Sequence, residues 1–328
     1  MLDTSLARTE PHALSTAEVV DLDQHPAAVY LARLGSARSR QVLRGALDTI
    51  ARLLTQGRCD AFTLAWPTLR YQHTTAVRAQ LAERYAAATA NQHLSALRGV
   101  LKECWRLGYT TAEDYHRAAD LAPVRGSVLP RGRGLKGGEI RALFNVCADD
   151  DGPAGIRDAA LLTVLYGAGL RRAEAVGLDL ADYDPETGAL VIRGKGNKQR
   201  IGYITHGGRL ALEEWLTLRG PEPGPLFWGV DKAGQLRPRR LTGQAVRFLA
   251  GRRGATAKVQ AFSPHDLRRS FISDLLDAGA DISTVQQLAG HAQVQTTQRY
   301  DRRGEGTKQK AATLIHVPYT PRRRPGAA

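Results

Sequence analysis

The chain has 328 residues, and its 46 Lys and Arg against 32 Asp and Glu leave a formal net charge of +14. That balance points to a polyanionic partner, nucleic acid ahead of an anionic membrane surface. Hydrophobic residues make up 43% and charged residues 24%, ordinary for a globular protein, and no apolar run is long enough to span a bilayer. The three cysteines, Cys59, Cys104 and Cys147, are far apart and in no metal-binding or redox spacing. They are expected to be idle thiols in a reducing cytoplasm, with no metal and no disulfide.

Residues 1–23 carry Asp3, Glu10, Glu18, Asp21 and Asp23 without an apolar core for export, and read as a flexible tail. From Ser39 to Gly57, Val42, Leu43, Ala46, Leu47, Ile50, Leu53 and Leu54 recur at helical spacing, with Ser39 as N-cap and Gly57 as stop. Ala76 to Tyr85 and Ala90 to Leu107 repeat the pattern and carry Arg78, Arg84, Arg98, Lys102 and Arg106 on their exposed faces. No strand-like alternation interrupts them, so residues 24–120 read as a helical domain of about four or five helices. Residues 121–135 differ. Pro123, Gly126, Pro130, Gly132 and Gly134 alternate with Arg125, Arg131 and Arg133, the composition of an extended basic linker.

The spacing then predicts helices over Gly138 to Cys147, Ile156 to Tyr166 and Arg171 to Val176. Two strands follow, Ala189 to Arg193 and Arg200 to Thr205, around the Gly- and Asn-rich turn Gly194-Lys195-Gly196-Asn197-Lys198. Further helices cover Gly208 to Arg219, Thr242 to Gly251, Pro264 to Ala278 and Ile282 to Ala289, with Ser263-Pro264 supplying an N-cap and an N1 proline. Thr307 to His316, with Ala311, Ala312, Leu314 and Ile315, reads as a short amphipathic helix, and residues 317–328 as a basic tail. The fold class is mainly α with a small β-hairpin or sheet, a helical domain preceding an α/β domain over residues 136–316.

Breaking a phosphodiester without a metal requires cations on the nonbridging oxygens, a nucleophile, and a proton for the departing oxygen. Arginine suits the first task, because its planar fork stays charged and binds two oxygens together. His265 and Arg268 stand three apart at a helix start, on one face and in the positive field of the helix N-terminus. Arg171 follows Gly169-Leu170, and Glu174 three residues on can orient an arginine or form a surface ion pair. Lys195 sits in the glycine-flanked hairpin, and Gly290-His291 precedes Tyr300 by nine residues. Singly, each is as compatible with a solvated surface charge, a helix cap or a packed tyrosine.

Together, Gly169-Leu170-Arg171-Arg172-Ala173-Glu174, Gly194-Lys195-Gly196-Asn197-Lys198, His265-Asp266-Leu267-Arg268 and Leu288-Ala289-Gly290-His291 through Tyr300 make the chain resemble the tyrosine recombinase (phage integrase) family. The motifs stand in the family's order, and the preceding helical region is similar to its core-binding domain. The resemblance implies an enzyme that cleaves and rejoins DNA at a specific site. Tyr300 would attack the scissile phosphate, giving a 3′-phosphotyrosine and a free 5′-hydroxyl. Arg171 and Arg268 would clamp the phosphate, Lys195 would protonate the leaving 5′-oxygen, His265 would transfer a proton, and His291 would hydrogen-bond the phosphate, with Glu174 supporting from behind. No cofactor and no metal are implied.

The same resemblance implies that the two domains clamp double-stranded DNA carrying a specific recombination site. It also implies a homotetramer on two such sites, linked through the C-terminal helix near Thr307 to His316, in a cytoplasmic protein associated with the nucleoid when bound to DNA. Two departures bear on the subclass. The segment before Asp23 is too short for an arm-DNA-binding domain, and Tyr300-Asp301-Arg302-Arg303 replaces the Tyr-Thr-His common in chromosome-dimer-resolving relatives. The first argues against regulation through distant arm sites, and the second tilts the reading toward a mobile-element or plasmid recombinase, with a chromosome-dimer-resolving Xer-type enzyme as the alternative. A type IB topoisomerase is disfavoured by Gly290-His291. A catalytically idle DNA-binding architectural protein is disfavoured by the full set of seven site residues.

Overall fold

The computed structural model describes residues 21–126, 132–194, 198–301, 312–316 and 318, and the chain divides into two units, residues 1–129 and 130–328. In the first unit, local chemistry sets the helix starts. Helix α1 (Pro26–Ala32) begins on a proline and is capped by His25, whose Nδ1 accepts the Ala27 N–H at 3.2 Å. Helix α2 (Ala37–Thr55) is capped by Ser36. The expected cap, Ser39, is instead the N3 residue whose N–H donates to Ser36 Oγ at 3.1 Å. A serine pair three apart satisfies the cap rule in either role only if the chain bends at the first of them, as it does here. Helices α3 (Tyr71–Arg84), α4 (Ala87–Arg106) and α5 (Ala112–Ala119) complete the set. Their apolar faces, including Leu47, Ile50, Leu81, Leu94 and Leu97, enclose Trp66, whose indole N–H donates to the Ala61 carbonyl at 2.8 Å.

Two of the arginines expected on open basic faces have another task. Arg78 donates to the Ala122 carbonyl at 2.6 Å, and Arg98 donates to the carbonyls of Ala119 and Leu121. Asn91 pairs with both the N–H and the carbonyl of Val124. The start of the segment read as a linker is thus packed on the first unit, with Leu121 in its core. The end of the same segment belongs to the second unit, where Leu135 is buried and its N–H donates to Ser270 Oγ at 2.7 Å. Residues 127–131 lie outside the described residues.

The second unit is built on α7 (Pro153–Tyr166), the most apolar helix, which buries Ala160, Leu161, Leu162, Val164 and Leu165. Burial of each large aliphatic side chain stabilises the fold by about 1.5–3 kcal/mol. Around it stand α6 (Gly137–Ala148), the short α8 (Arg172–Gly177) and α9 (Gly207–Arg219). Helices α10 (Gly243–Thr256), α11 (Pro264–Asp277), α12 (Ile282–Ala289) and α13 (Val294–Gln298) follow. The expected hairpin is present as β2 (Ala189–Arg193) and β3 (Gln199–Tyr203), paired antiparallel with Val191 opposite Ile201.

The structure adds β1 (Tyr183–Asp184), making a three-stranded sheet in the order β1-β2-β3, and a separate antiparallel pair, β4 (Trp228–Val230) with β5 (Leu236–Arg240). Neither addition has a readable apolar alternation. The first strand has two residues, and the last reads Leu-Arg-Pro-Arg-Arg. The expected helix Thr307 to His316 falls mostly on residues outside the described ones. Of the part that is described, Leu314 and Ile315 are 86% and 75% exposed.

Three elements of the second unit are tied by a buried ionic network. Asp158 accepts from Arg157 Nε and Nη2 at 2.9 and 2.7 Å and from Arg253 Nε at 2.8 Å, while Arg253 Nη2 donates to Asp150 at 2.6 Å. Asp158, Arg157 and Arg253 are all buried. Removing the shared carboxylate leaves two guanidiniums in a poorly solvated site, so Asp158→Ala is expected to destabilise the protein by about 3–5 kcal/mol in denaturant unfolding. A loss under about 1 kcal/mol contradicts a network that depends on this carboxylate.

Candidate active site

The site is assembled on the C-terminus of α12. A helix leaves its last carbonyls without intrahelical partners, and these carry the negative end of the helix dipole. Here three consecutive carbonyls each receive an arginine from a different part of the second unit. Leu288 O accepts Arg200 Nε at 2.9 Å, Ala289 O accepts Arg268 Nη2, and Gly290 O accepts Arg171 Nη2 at 3.2 Å. Arg200 comes from β3, Arg268 from α11, and Arg171 is the N-cap of α8. Gly290 ends the helix in the left-handed conformation at φ +63°, and a Cβ there would stand 2.9 Å from Arg200 Cδ. Glycine is therefore required twice, by the backbone and by the arginine beside it.

Arg268 is 1% exposed and also donates through Nη1 to the Gly169 carbonyl at 2.6 Å. Burial first, and then the charge of Arg171, lowers its pKa to about 10. Gly169 has φ +60°, and a Cβ on it would overlap the Phe271 ring, so a glycine lets this turn approach α11 and offer its carbonyl. Glu174 is the counter-charge. Its Oε1 accepts from Arg171 Nη1 at 2.7 Å and Arg200 Nη1 at 3.0 Å, and its Oε2 from Arg200 Nη2 at 2.7 Å and the Arg171 N–H at 2.9 Å. Burial alone would raise the Glu174 pKa. The bonds from Arg200 and Arg171 outweigh it and hold the carboxyl at about 2. Three guanidiniums against one carboxylate leave the site electropositive. Arg171, Glu174, Arg200 and His291 line one cavity of about 990 Å³, together with Arg193 and Lys198.

His265 stands in the first turn of α11, behind the capping box in which Ser263 N and Oγ both donate to Asp266 Oδ2 at 2.8 Å. Its pKa is lowered, by desolvation of the ring and then by Arg268. His291 follows the Gly290 cap, and its Nδ1 pairs with Thr297 Oγ1 at 2.9 Å. Burial, then Arg268 and Arg171, push its pKa down to about 4. The Tyr300 ring stacks on His291 at 6.0 Å between centroids, and its backbone carbonyl accepts from Ser273 Oγ at 3.3 Å. It packs beside the cluster of Phe271, Ile272, Leu276, Val285 and Ala289.

Of the seven residues singled out in the sequence, Arg171, Glu174, His265, Arg268, His291 and Tyr300 thus come together. Lys195 lies outside the described residues, although its hairpin is closed by the Gly194 N–H on the Lys198 carbonyl at 2.8 Å. Arg200, Thr297 and Arg269 were not anticipated. The guanidinium of Arg269 lies 5.3 Å from the Tyr300 ring centroid.

Residues 133–305 match the model of the phage integrase family. The tyrosine recombinase XerC of Azotobacter vinelandii is 37% identical over 269 residues, covering 80% of this chain and 86% of that protein. Among solved structures, the XerH site-specific recombinase bound to a palindromic difH substrate superposes with a TM-score of 0.64 at 21% identity, covering 92% of this chain and 91% of that one. The Tn1549 transposon integrase in complex with transposon right-end DNA gives the same TM-score at 16% identity, over 89% of this chain and 98% of that one. These two likenesses establish the fold; the matched residues and the XerC relationship establish the lineage. The chain belongs to the phage integrase family, the tyrosine recombinases that break and rejoin DNA strands.

Proposed function

We propose that this protein is a site-specific DNA recombinase acting through a covalent 3′-phosphotyrosine on Tyr300. The observation that carries the reading is the gathering of Arg171 and Arg268 at one helix end, with Tyr300 stacked on His291 beside them. The carbonyls that hold these guanidiniums occupy donors that a phosphate can take over. Arg171 and Arg268 then bind the nonbridging oxygens, where charge builds in the transition state. The Tyr300 oxygen forms a bond to phosphorus and the bond from phosphorus to the 5′-oxygen breaks. The phenol proton leaves to His265, and the 5′-oxygen takes a proton from Lys195. The phosphotyrosine conserves the bond energy, so attack by a 5′-hydroxyl reverses the step without ATP. With Nδ1 of His291 on Thr297, its Nε2 is left for a phosphate oxygen.

The partner is double-stranded DNA with a specific recombination site, bound by residues 24–120 and 136–316 on either side of the segment 121–135, in the cytoplasm and on the nucleoid. Tyr300-Asp301-Arg302-Arg303 favours service to a mobile element or plasmid. The similarity to XerC favours, with equal weight, a chromosome-dimer-resolving role. Assembly is as a homotetramer on two sites. The exposure of Leu314 and Ile315 supports it, since a pair of aliphatic side chains so placed gains from burial against a second protomer.

Tyr300→Phe removes only the hydroxyl, and is expected to keep specific DNA binding while losing covalent attachment to a nicked suicide substrate. An adduct that persists on a denaturing gel overturns the assignment of the nucleophile. The histidines set a pH dependence. The folded pKa of His291, about 4, lies below its ordinary value of 6.5, so the unfolded chain takes up a proton that the fold refuses. Stability is then full above about 6.5 and declines as pH falls toward about 4. His265 acts in the same direction, whereas the Glu174 contribution is lost only below its ordinary 4.5. Thermal midpoints of the DNA-free protein should fall through that window, and His291→Gln should flatten the fall; equal slopes in both proteins contradict the buried neutral histidine.

Truncation after Arg303 keeps every proposed site residue and removes Leu314 and Ile315. The shortened protein is expected to bind a single half-site as before and to lose cooperative pairing of full sites in gel-shift titration. Synaptic tetramers at wild-type concentrations exclude docking of this segment on a neighbour.

A further inference from the structure

Arg269 follows the buried Arg268 by one residue, so on α11 it is turned about 100° away from the direction in which Arg268 reaches the helix-end carbonyls. Its guanidinium lies over the Tyr300 ring instead, 5.3 Å from the centroid. Ser273, one turn further along the same face of α11, donates its hydroxyl to the Tyr300 backbone carbonyl at 3.3 Å. One helix face therefore grips both the ring and the main chain of this residue. The ring also stacks on His291, which is neutral near pH 7 because burial and Arg268 hold its pKa at about 4.

We propose that Arg269 is a positioning residue for the nucleophile, holding the Tyr300 ring under its guanidinium and favouring the negative charge that the ring gains as its oxygen attacks phosphorus. The inference rests on the role assigned to Tyr300 above. A ring face attracts a cation through its quadrupole, and the attraction grows when the ring itself becomes anionic. Only an interaction stronger in the transition state than in the ground state accelerates the step, and this one is. No new bond or proton is involved. The oxygen of Tyr300 joins phosphorus, the 5′-oxygen leaves with a proton, and Arg269 acts through the ring alone. An arginine over a tyrosine is also an ordinary packing contact, which predicts an effect on stability and none on the rate at saturating DNA.

The test compares Arg269→Met, which keeps the length and loses the charge, with Arg269→Lys, which keeps the charge. Both are made in the full chain and assayed for single-turnover adduct formation on a nicked suicide duplex at saturating protein, alongside half-site affinity. Loss of the cation is expected to slow adduct formation by roughly 10-fold, within the range of measured cation–π strengths, with affinity unchanged, and lysine to restore most of the rate. A second arm uses Tyr300→Ala with hydrogen peroxide as the attacking nucleophile. Adding Arg269→Met there should leave peroxide-driven cleavage unchanged. The inference is overturned if the methionine variant forms adduct at the wild-type rate, if lysine is as slow as methionine, or if peroxide cleavage falls in parallel with adduct formation. A wild-type protein that forms no adduct at all overturns the reading of Tyr300 itself.

Discussion

The site depends on keeping three like-charged side chains together before any phosphate is present. Two unit charges 4 Å apart repel by about 4 kcal/mol at an effective dielectric of 20, so such a cluster needs compensation built into the fold. Glu174 supplies one negative charge, shared between Arg171 and Arg200 through both oxygens. The end of α12 supplies the rest through the carbonyls of Leu288, Ala289 and Gly290. The local requirements follow from that arrangement. Gly290 must be left-handed to turn its carbonyl outward, Gly169 must be bare to bring its own carbonyl to Arg268, and His291 must be neutral because it enters an already cationic neighbourhood.

Such compensation must also be weak enough to exchange. A buried carboxylate on every arginine would neutralise the cluster and leave nothing for the phosphate it is proposed to bind. Backbone carbonyls are neutral acceptors, and giving them up for charged oxygens is favourable, because charge-assisted hydrogen bonds are about twice as strong. Arg268, almost wholly buried and held by two carbonyls, is placed in this way with its full charge uncompensated by any carboxylate bond among the described residues. Arg171 and Arg200 share one. The site is thus oriented in advance and stays electropositive, which is what electrostatic preorganisation requires.

Much of this was legible in the sequence because the motif residues sit where caps and turns leave signatures. Ser263-Pro264 marks the start of α11, and Gly290 marks the end of α12. The long apolar repeats located α2, α4 and α7 to within a few residues. What was not legible was what polar side chains do at a distance. Arg78 and Arg98 read as solvated faces, yet they hold the chain around Ala119 to Pro123, a role visible only once residues far apart in sequence meet. Strand β3 inverts the usual pattern, because Arg200 and Gly202 face inward while Ile201 and Tyr203 are half exposed. Hydrophobic alternation points Arg200 to solvent, so its part in the site could not be read from period alone.

That inversion explains why the strand is built as it is. An inward arginine at position 200 needs a carboxylate and a carbonyl, and both come from elements that carry site residues, Glu174 beside Arg171 and Leu288 beside the Gly290 cap. Gly202 on the same face leaves room, since a Cβ there would stand 2.8 Å from Ile192 Cδ1. Arg200 therefore links the β2–β3 hairpin to both the α8 N-terminus and the α12 C-terminus. A displacement of that hairpin moves the guanidinium, and with it the carboxylate that orients Arg171. Coupling of this kind requires no mechanism beyond two hydrogen-bonded forks sharing one carboxylate. It also means that the geometry of the arginine cluster proposed to bind phosphate and the hairpin that carries Arg200 are set together and not as independent parts.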